Sequence, residues 1–158
     1  MGKKAIVIGA SSGIGLEVAK ILMNQGWTVG VAARRVELLQ DLGAAAVECI
    51  DVTAGDATEA LQRLINKLGG MNLFLYASGI GKQNRELTED IELATVQTNG
   101  IGFTRMIGAA YRYFVNQGNG HMFPPSQNVS GPYFTTYFLP FLMTIPLVLL
   151  SALRPPSV

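Results

Sequence analysis

Apolar residues in this chain alternate between two periods, and glycines mark most of the switches. Residues 3–8 end in Ala5-Ile6-Val7-Ile8 and are closed by Gly9, a β-branched run that predicts a buried strand. Residues 13–25 carry Ile14, Val18, Ile21 and Leu22 at helical spacing, with Gly26 behind them as a C-terminal stop. A second strand is expected over 28–33, a second helix over 35–42 ended by Gly43, and a third strand over 46–50 with Asp51 at its carboxyl end. Residues 57–68 place Ala57, Ala60, Leu61, Leu64, Ile65 and Leu68 on one helical face, and Gly69-Gly70 stops that helix. A fourth strand is read over 72–76. A long fourth helix follows from Glu89 to about Phe114, despite glycines at 100, 102 and 108.

Strand and helix alternating through short connections imply right-handed βαβ units and a parallel sheet. The expected fold class is α/β, a doubly wound sheet in the order 3-2-1-4, truncated or altered after the fourth helix. A fifth strand should follow Gly118-Asn119-Gly120, but Met122-Phe123 runs into Pro124-Pro125. Two prolines cannot sit in a central strand, so the regular pattern is expected to stop there. The division is therefore 1–122 as a regular α/β domain and 123–158 as an apolar, proline-containing tail.

Composition sharpens that boundary. The 158 residues are 49% hydrophobic, enough for one domain with a real core, and the net charge of +1 argues for neither nucleic acid nor an anionic surface. From Tyr113 to Leu153 there is no Asp, Glu, Lys or Arg. The single cysteine, Cys49, cannot form an internal disulfide and reads as a small buried hydrophobe in a reducing, cytoplasmic protein. The N-terminus lacks the apolar run of a signal peptide, and Ile6 stands where a myristoylation motif needs Ser or Thr.

Candidate chemistry begins at Gly9-Ala10-Ser11-Ser12-Gly13-Ile14-Gly15. Set between a strand and a helix, such a turn presents backbone N–H groups and a helix N-terminus to a pyrophosphate. The spacing Gly-x-x-x-Gly-x-Gly resembles the nucleotide loop of the short-chain dehydrogenase/reductase family. Three further segments match that family in order. Asp51-Val52 is similar to its adenine-binding pair, Tyr76-Ala77-Ser78-Gly79 to its Asn-Asn-Ala-Gly with both asparagines changed, and Asn99-Gly100-Ile101-Gly102 to its Asn-x-x-Gly. The resemblance covers about residues 1–122. It implies Gly9, Ser11, Ser12, Gly13, Ile14 and Gly15 on the pyrophosphate side and Asp51 and Val52 at the adenine. It also implies Ser78 and Gly79 at the nearby ribose, and Asn99 helping to hold an active-site water as the one catalytic-set residue retained. No metal site is expected.

Cofactor choice follows from charge. An Asp or Glu at the end of the second strand would bond the ribose 2′-hydroxyl of NAD and repel a 2′-phosphate. This chain has Ala32-Ala33-Arg34-Arg35 there. Arg34 is placed for charge-assisted bonds to a phosphate, so NADP(H) is preferred over NAD(H).

The family resemblance also implies a serine at the end of the fifth strand and a Tyr-x-x-x-Lys helix about a dozen residues later. No lysine occurs after Lys82, Tyr133 and Tyr137 are followed four residues on by Tyr137 and Phe141, and the expected serine segment reads Phe-Pro-Pro-Ser-Gln. Ser126 falls near the serine's spacing, Gln127 takes its position more closely, and His121 is a poor substitute. The implied parent activity is NADPH-linked reduction of a carbonyl, or the reverse oxidation of an alcohol, impaired in this chain. A changed reading frame near codons 122–124 is the preferred account of the tail. The alternative is a genuine segment, since 133–153 is 21 residues without a charge, near the ~20 that span a bilayer. On that reading the chain is a non-catalytic nucleotide-binding or membrane-attached interaction protein. A third reading is an unstable fragment without function. Homo-oligomerisation stays open.

Overall fold

The computed structural model describes residues 2–81 and 83–123. Five parallel strands form one sheet in the order β3-β2-β1-β4-β5. They are β1 (Lys4–Ile8), β2 (Thr28–Ala33), β3 (Ala46–Cys49), β4 (Leu73–Tyr76) and β5 (His121–Phe123). Helices α1 (Gly13–Asn24), α2 (Ala57–Leu68), α3 (Glu89–Val96) and α4 (Phe103–Gln117) connect them, with a 3₁₀ helix over Val36–Leu42 and a π-helical stretch over Gln97–Gly102.

The period-two alternation of β1 divides the core into two layers. Ile6 and Ile8 face one side and pack with the inner faces of α2 and α4, through Leu61, Leu64, Met106 and Phe114 among others. Ala5 and Val7 face the other side with Val29 and Val31, against Ala19 and Leu22 of α1 and Leu39 of the 3₁₀ helix. Covering both faces is what lets a parallel sheet read as continuous apolar runs. All six apolar positions expected on α2 are buried.

Several expectations are corrected. The buried face of α1 is made by Gly15, Ala19 and Leu22, whereas Ile14 is 79% and Ile21 52% exposed. Small residues let this helix lie close to the sheet, so its bulky members are pushed to the flanks. The segment after Arg35 is a 3₁₀ helix rather than an α-helix, a common form for a one- or two-turn connector. The long fourth helix is interrupted by the π stretch and runs on to Gln117. Cys49 is exposed, standing at the last position of β3 on the edge of the sheet. A fifth strand does begin: His121–Phe123 pairs with Leu73–Leu75, completed just before Pro124. Ser126, Gln127, Tyr133, Tyr137 and the 133–153 stretch lie outside the described residues. Among the described residues, no helix is long and apolar enough to cross a membrane.

Candidate functional site

The carboxyl ends of β1, β2, β3 and β4 bring most of the sequence-identified residues to one edge of the sheet. In open α/β sheets this is the edge where ligands bind, at the point where strand order reverses. Here that point lies between β1 and β4. Chain connections leave β1 toward β2 on one side, and β4 pairs with β1 on the other.

The glycine turn is fixed by backbone contacts alone. The Gly9 and Ala10 amides donate to the Ala32 carbonyl at 2.8 and 3.2 Å. Gly9 has φ of +86°, and a Cβ there would stand 2.6 Å from the Ser78 nitrogen and 2.7 Å from the Ala77 carbonyl carbon. A Cβ on Gly15 would strike the Gly9 carbonyl oxygen. These glycines therefore let α1 start directly against the ends of β1 and β4. Ser12 is the N-cap residue in extended conformation, its side chain makes no capping bond, and the first turn of α1 holds no acidic residue. The helix N-terminus thus keeps free donors and an uncompensated positive dipole end, the arrangement that suits an anion. Ser11 is half-buried, while Ser12, Gly13 and Ile14 are exposed at the mouth of the turn. A pyrophosphate fits this donor set, and a Cβ at either close glycine would strike the backbone that shapes the turn.

Arg34 is exposed just past β2, with no carboxylate between Ala32 and Arg35. Asp51 follows β3, after Ile50 has donated its amide to the Ala33 carbonyl at 3.2 Å. The Asp51 Oδ1 accepts from the Thr53 amide at 2.9 Å and from the Thr53 hydroxyl at 2.7 Å. Burial alone would raise this carboxyl. The Thr53 bonds and the nearby Arg34 charge outweigh it and hold Asp51 below the usual aspartate range, so it is an ionised acceptor at neutral pH. Val52 is buried and packs against Gly102, where a Cβ would stand 2.8 Å from Val52 Cγ2. The last glycine of Asn-x-x-Gly is thereby explained as the point where the fourth helix approaches the loop after β3.

Asn99 sits in the π stretch and forms a closed amide pair with the loop after β4. Its Nδ2 donates to the Ile80 carbonyl at 2.7 Å, and its Oδ1 accepts from the Ile80 amide at 2.9 Å. Gly79 is exposed beside it, and a Cβ there would lie 3.4 Å from Asn99 Oδ1. Tyr76, in place of the family's first asparagine, is buried and packs edge-on to Phe103 at 5.4 Å. Its hydroxyl donates to the Thr98 carbonyl at 3.4 Å. Burial pushes the phenol well above its ordinary range, only partly offset by a bond with the Ser78 side chain. Tyr76 is therefore a neutral structural phenol, not a proton donor at working pH.

One residue with a part in this edge escaped the sequence reading. Arg105, in the first turn of α4, aims Nη1 at three successive carbonyls: Val52 at 3.2 Å, Thr53 at 3.1 Å and Ala54 at 2.6 Å. A lone arginine on a helix ordinarily reads as a solvated charge, and no local pattern marks this one.

Comparison with known proteins agrees with this geometry. The chain is 31% identical over 127 residues to the 3-oxoacyl-acyl-carrier-protein reductase of Rattus norvegicus, covering 75% of this chain and 53% of the relative. It spans about half the length of the curated relatives it matches. Among solved structures, a short-chain type dehydrogenase/reductase from Mycobacterium marinum superposes with a TM-score of 0.74 at 26% identity, over 92% of this chain and 66% of that one. A variant of actinorhodin polyketide ketoreductase, solved with NADPH, gives 0.71 at 25% identity over 97% of this chain and 66% of that one. The family model for short chain dehydrogenase matches residues 3–123. On that match the chain belongs to the short-chain dehydrogenase family, whose members bind nicotinamide cofactors.

Proposed function

We propose that this chain is the NADP(H)-holding part of a short-chain oxidoreductase and does not by itself carry out carbonyl reduction. The observation that carries the first half is the pairing of two features at one sheet edge. The N-terminus of α1 is open, uncapped by any side chain and free of acids, and Arg34 stands where an NAD-selecting carboxylate would. The α1 amides and the Ser11 and Ser12 hydroxyls would hold the pyrophosphate. Arg34 would hold the 2′-phosphate by charge-assisted hydrogen bonds, and Asp51 would accept from the adenine amine beside Val52. Ser78 and Gly79 would border the ribose. When bound, such a cofactor supplies a hydride to a carbonyl carbon.

Loss of chemistry rests on residue content. None of the five tyrosines is followed four positions later by lysine, so no residue pair can deliver the proton in the family's way. Asn99 keeps one lone pair on Oδ1 and one hydrogen on Nδ2 beyond its Ile80 bonds. A water near the reacting carbonyl could be held there, but a water without a proton donor completes no transfer. The substrate class to try first is a 3-oxoacyl thioester, the class in the name of the rat relative.

The test uses the purified full chain. NADPH and NADH are titrated by nucleotide fluorescence, then NADPH consumption is followed with and without a 3-oxoacyl thioester. NADPH is expected to bind at least ~10-fold tighter than NADH, with no thioester-dependent consumption. Tighter NADH binding sinks the cofactor assignment, and thioester-dependent consumption sinks the claim of lost chemistry.

A further inference from the structure

The three carbonyls gathered on Arg105 have a consequence for recognition of the base. We infer that Arg105, together with Thr53, is a positioning residue that fixes the Asp51 carboxylate for the adenine amine. The inference rests on the cofactor reading above and names residues outside it.

The loop after β3 has few anchors. Ala54 closes a turn by donating its amide to the Asp51 carbonyl at 3.0 Å. Past that turn the carbonyls of Val52, Thr53 and Ala54 converge on a single guanidinium nitrogen from another element, more than 50 residues away in sequence. A charged donor shared among neutral acceptors is a stronger tie than the same carbonyls would find in water. On the inner side, Val52 is wedged against Gly102, one turn before Arg105 on the same helix. The loop is thus held at its core side by van der Waals contact and at its outer side by the clamp. Thr53 then transmits that fixed backbone to Asp51, since both its amide and its hydroxyl end on Asp51 Oδ1. With Oδ1 so occupied, Oδ2 is the oxygen left to accept from a ligand. Arg105 acts through this loop, because its guanidinium donates to the loop's carbonyls and not to the Asp51 carboxylate.

The chain of contacts predicts an effect on one part of a ligand alone. Adenosine 2′,5′-bisphosphate and its inosine counterpart share both phosphates and differ at the base, where an amine donor becomes a carbonyl acceptor. In the wild-type chain the adenosine form is expected to bind about tenfold tighter. Arg105→Met keeps most of the apolar stem and removes the clamp; its discrimination should fall below about threefold, with inorganic pyrophosphate affinity unchanged. Arg105→Lys restores a cation and should recover part of the ratio. Thr53→Val provides the second arm at a half-buried surface position, where only the hydroxyl bond to Asp51 is lost, and its ratio should also fall at least about threefold. A folded Arg105→Met chain that keeps the wild-type ratio overturns the inference and leaves the cofactor reading standing. An unchanged ratio in Thr53→Val overturns it as well, whether or not the methionine variant folds. Wild-type chain that binds neither bisphosphate sinks both readings together.

Discussion

The β3-β2-β1 side of the sheet and the β4-β5 side are held in different ways. β1 and β2 pair over five registered positions and β2 and β3 over four, whereas β4 and β5 pair over three, from Leu73 with His121 to Leu75 with Phe123. Five of the six β2 residues are buried; of the β5 residues, two are exposed and one half-buried. The first side ends in the glycine turn, Arg34 and Asp51, the groups proposed above to hold the cofactor. Among the described residues, the second ends in β5, which pairs with β4 alone. On the proposed reading, the groups that bind the cofactor's phosphates and adenine all belong to the first, more extensively paired side.

Disrupting the glycine turn should give the largest effect. In Gly9→Ala the new Cβ meets the backbone of Ala77 and Ser78, and the residue must hold φ at +86°. Left-handed strain of about 1–2 kcal/mol adds to an overpacking cost of similar size, so a loss of about 3 kcal/mol is expected in urea unfolding. Because Ser78 follows β4, the substitution strikes both sides of the comparison at once. Next in size is Arg34→Glu, which acts on the first side only. It should weaken NADPH about 100-fold while NADH affinity holds or rises, since the new carboxylate can bond the ribose 2′-hydroxyl, read by fluorescence titration. An equal loss for both nucleotides would remove Arg34 from the 2′-phosphate.

How much of this was legible in the sequence depended on whether a feature is local. The β1 turn and the inner face of α2 could be read because a strand, a glycine turn and a 3.6-residue period each declare themselves within a dozen residues. The π stretch could not. It ends at the close approach of Gly102 to Val52, a contact between residues 50 apart in the sequence. Ile14 and Ile21 misled for a related reason, since hydrophobicity marks a helix face but close packing here selects Gly15 and Ala19. Among the site residues, the glycines, Arg34, Asp51 and Asn99 stood out by spacing and type. Arg105 did not, because three backbone carbonyls have no sequence signature.

A third test concerns how the first side is stiffened. Glu48 on β3 is nearly buried and accepts from Lys67 Nζ at 2.7 Å and Arg63 Nε at 3.0 Å, both on α2. Burial opposes its charge, but these two partners prevail and hold the carboxyl below the ordinary glutamate value of 4.5. A group lowered on folding stabilises fully above its unfolded value and loses that contribution as pH falls through the folded one. Glu48→Gln should therefore cost about 1–2 kcal/mol near pH 7, moderated because both cations are half-exposed. The difference from wild type should shrink as pH drops below about 4.5 and the wild-type carboxyl becomes protonated. A gap that stays constant down to pH 3 would mean that shape, not charge, joins β3 to α2.

The smallest effect is expected on the second side, at the end of α4. Gln117 Nε2 donates to the Met71 carbonyl at 2.9 Å and to the Asn119 carbonyl at 3.0 Å, fastening the turn before β5 to the turn before β4. The His121 amide continues the tie by donating to the Asn72 carbonyl at 2.9 Å, and Asn72 Oδ1 in turn accepts from the Lys4 amide at 3.0 Å. These bonds are at the edge of the sheet opposite the glycine turn, where water can replace a lost donor. Gln117→Leu should lower stability by only about 1 kcal/mol, while amide exchange at His121 and Phe123 speeds more than at Val29 or Val31. NADPH affinity should not change, because no bond in this network reaches the carboxyl ends of β1, β2 or β3. If affinity does fall with Gln117→Leu, the two sides are coupled through β4, and binding cannot be assigned to the first side alone.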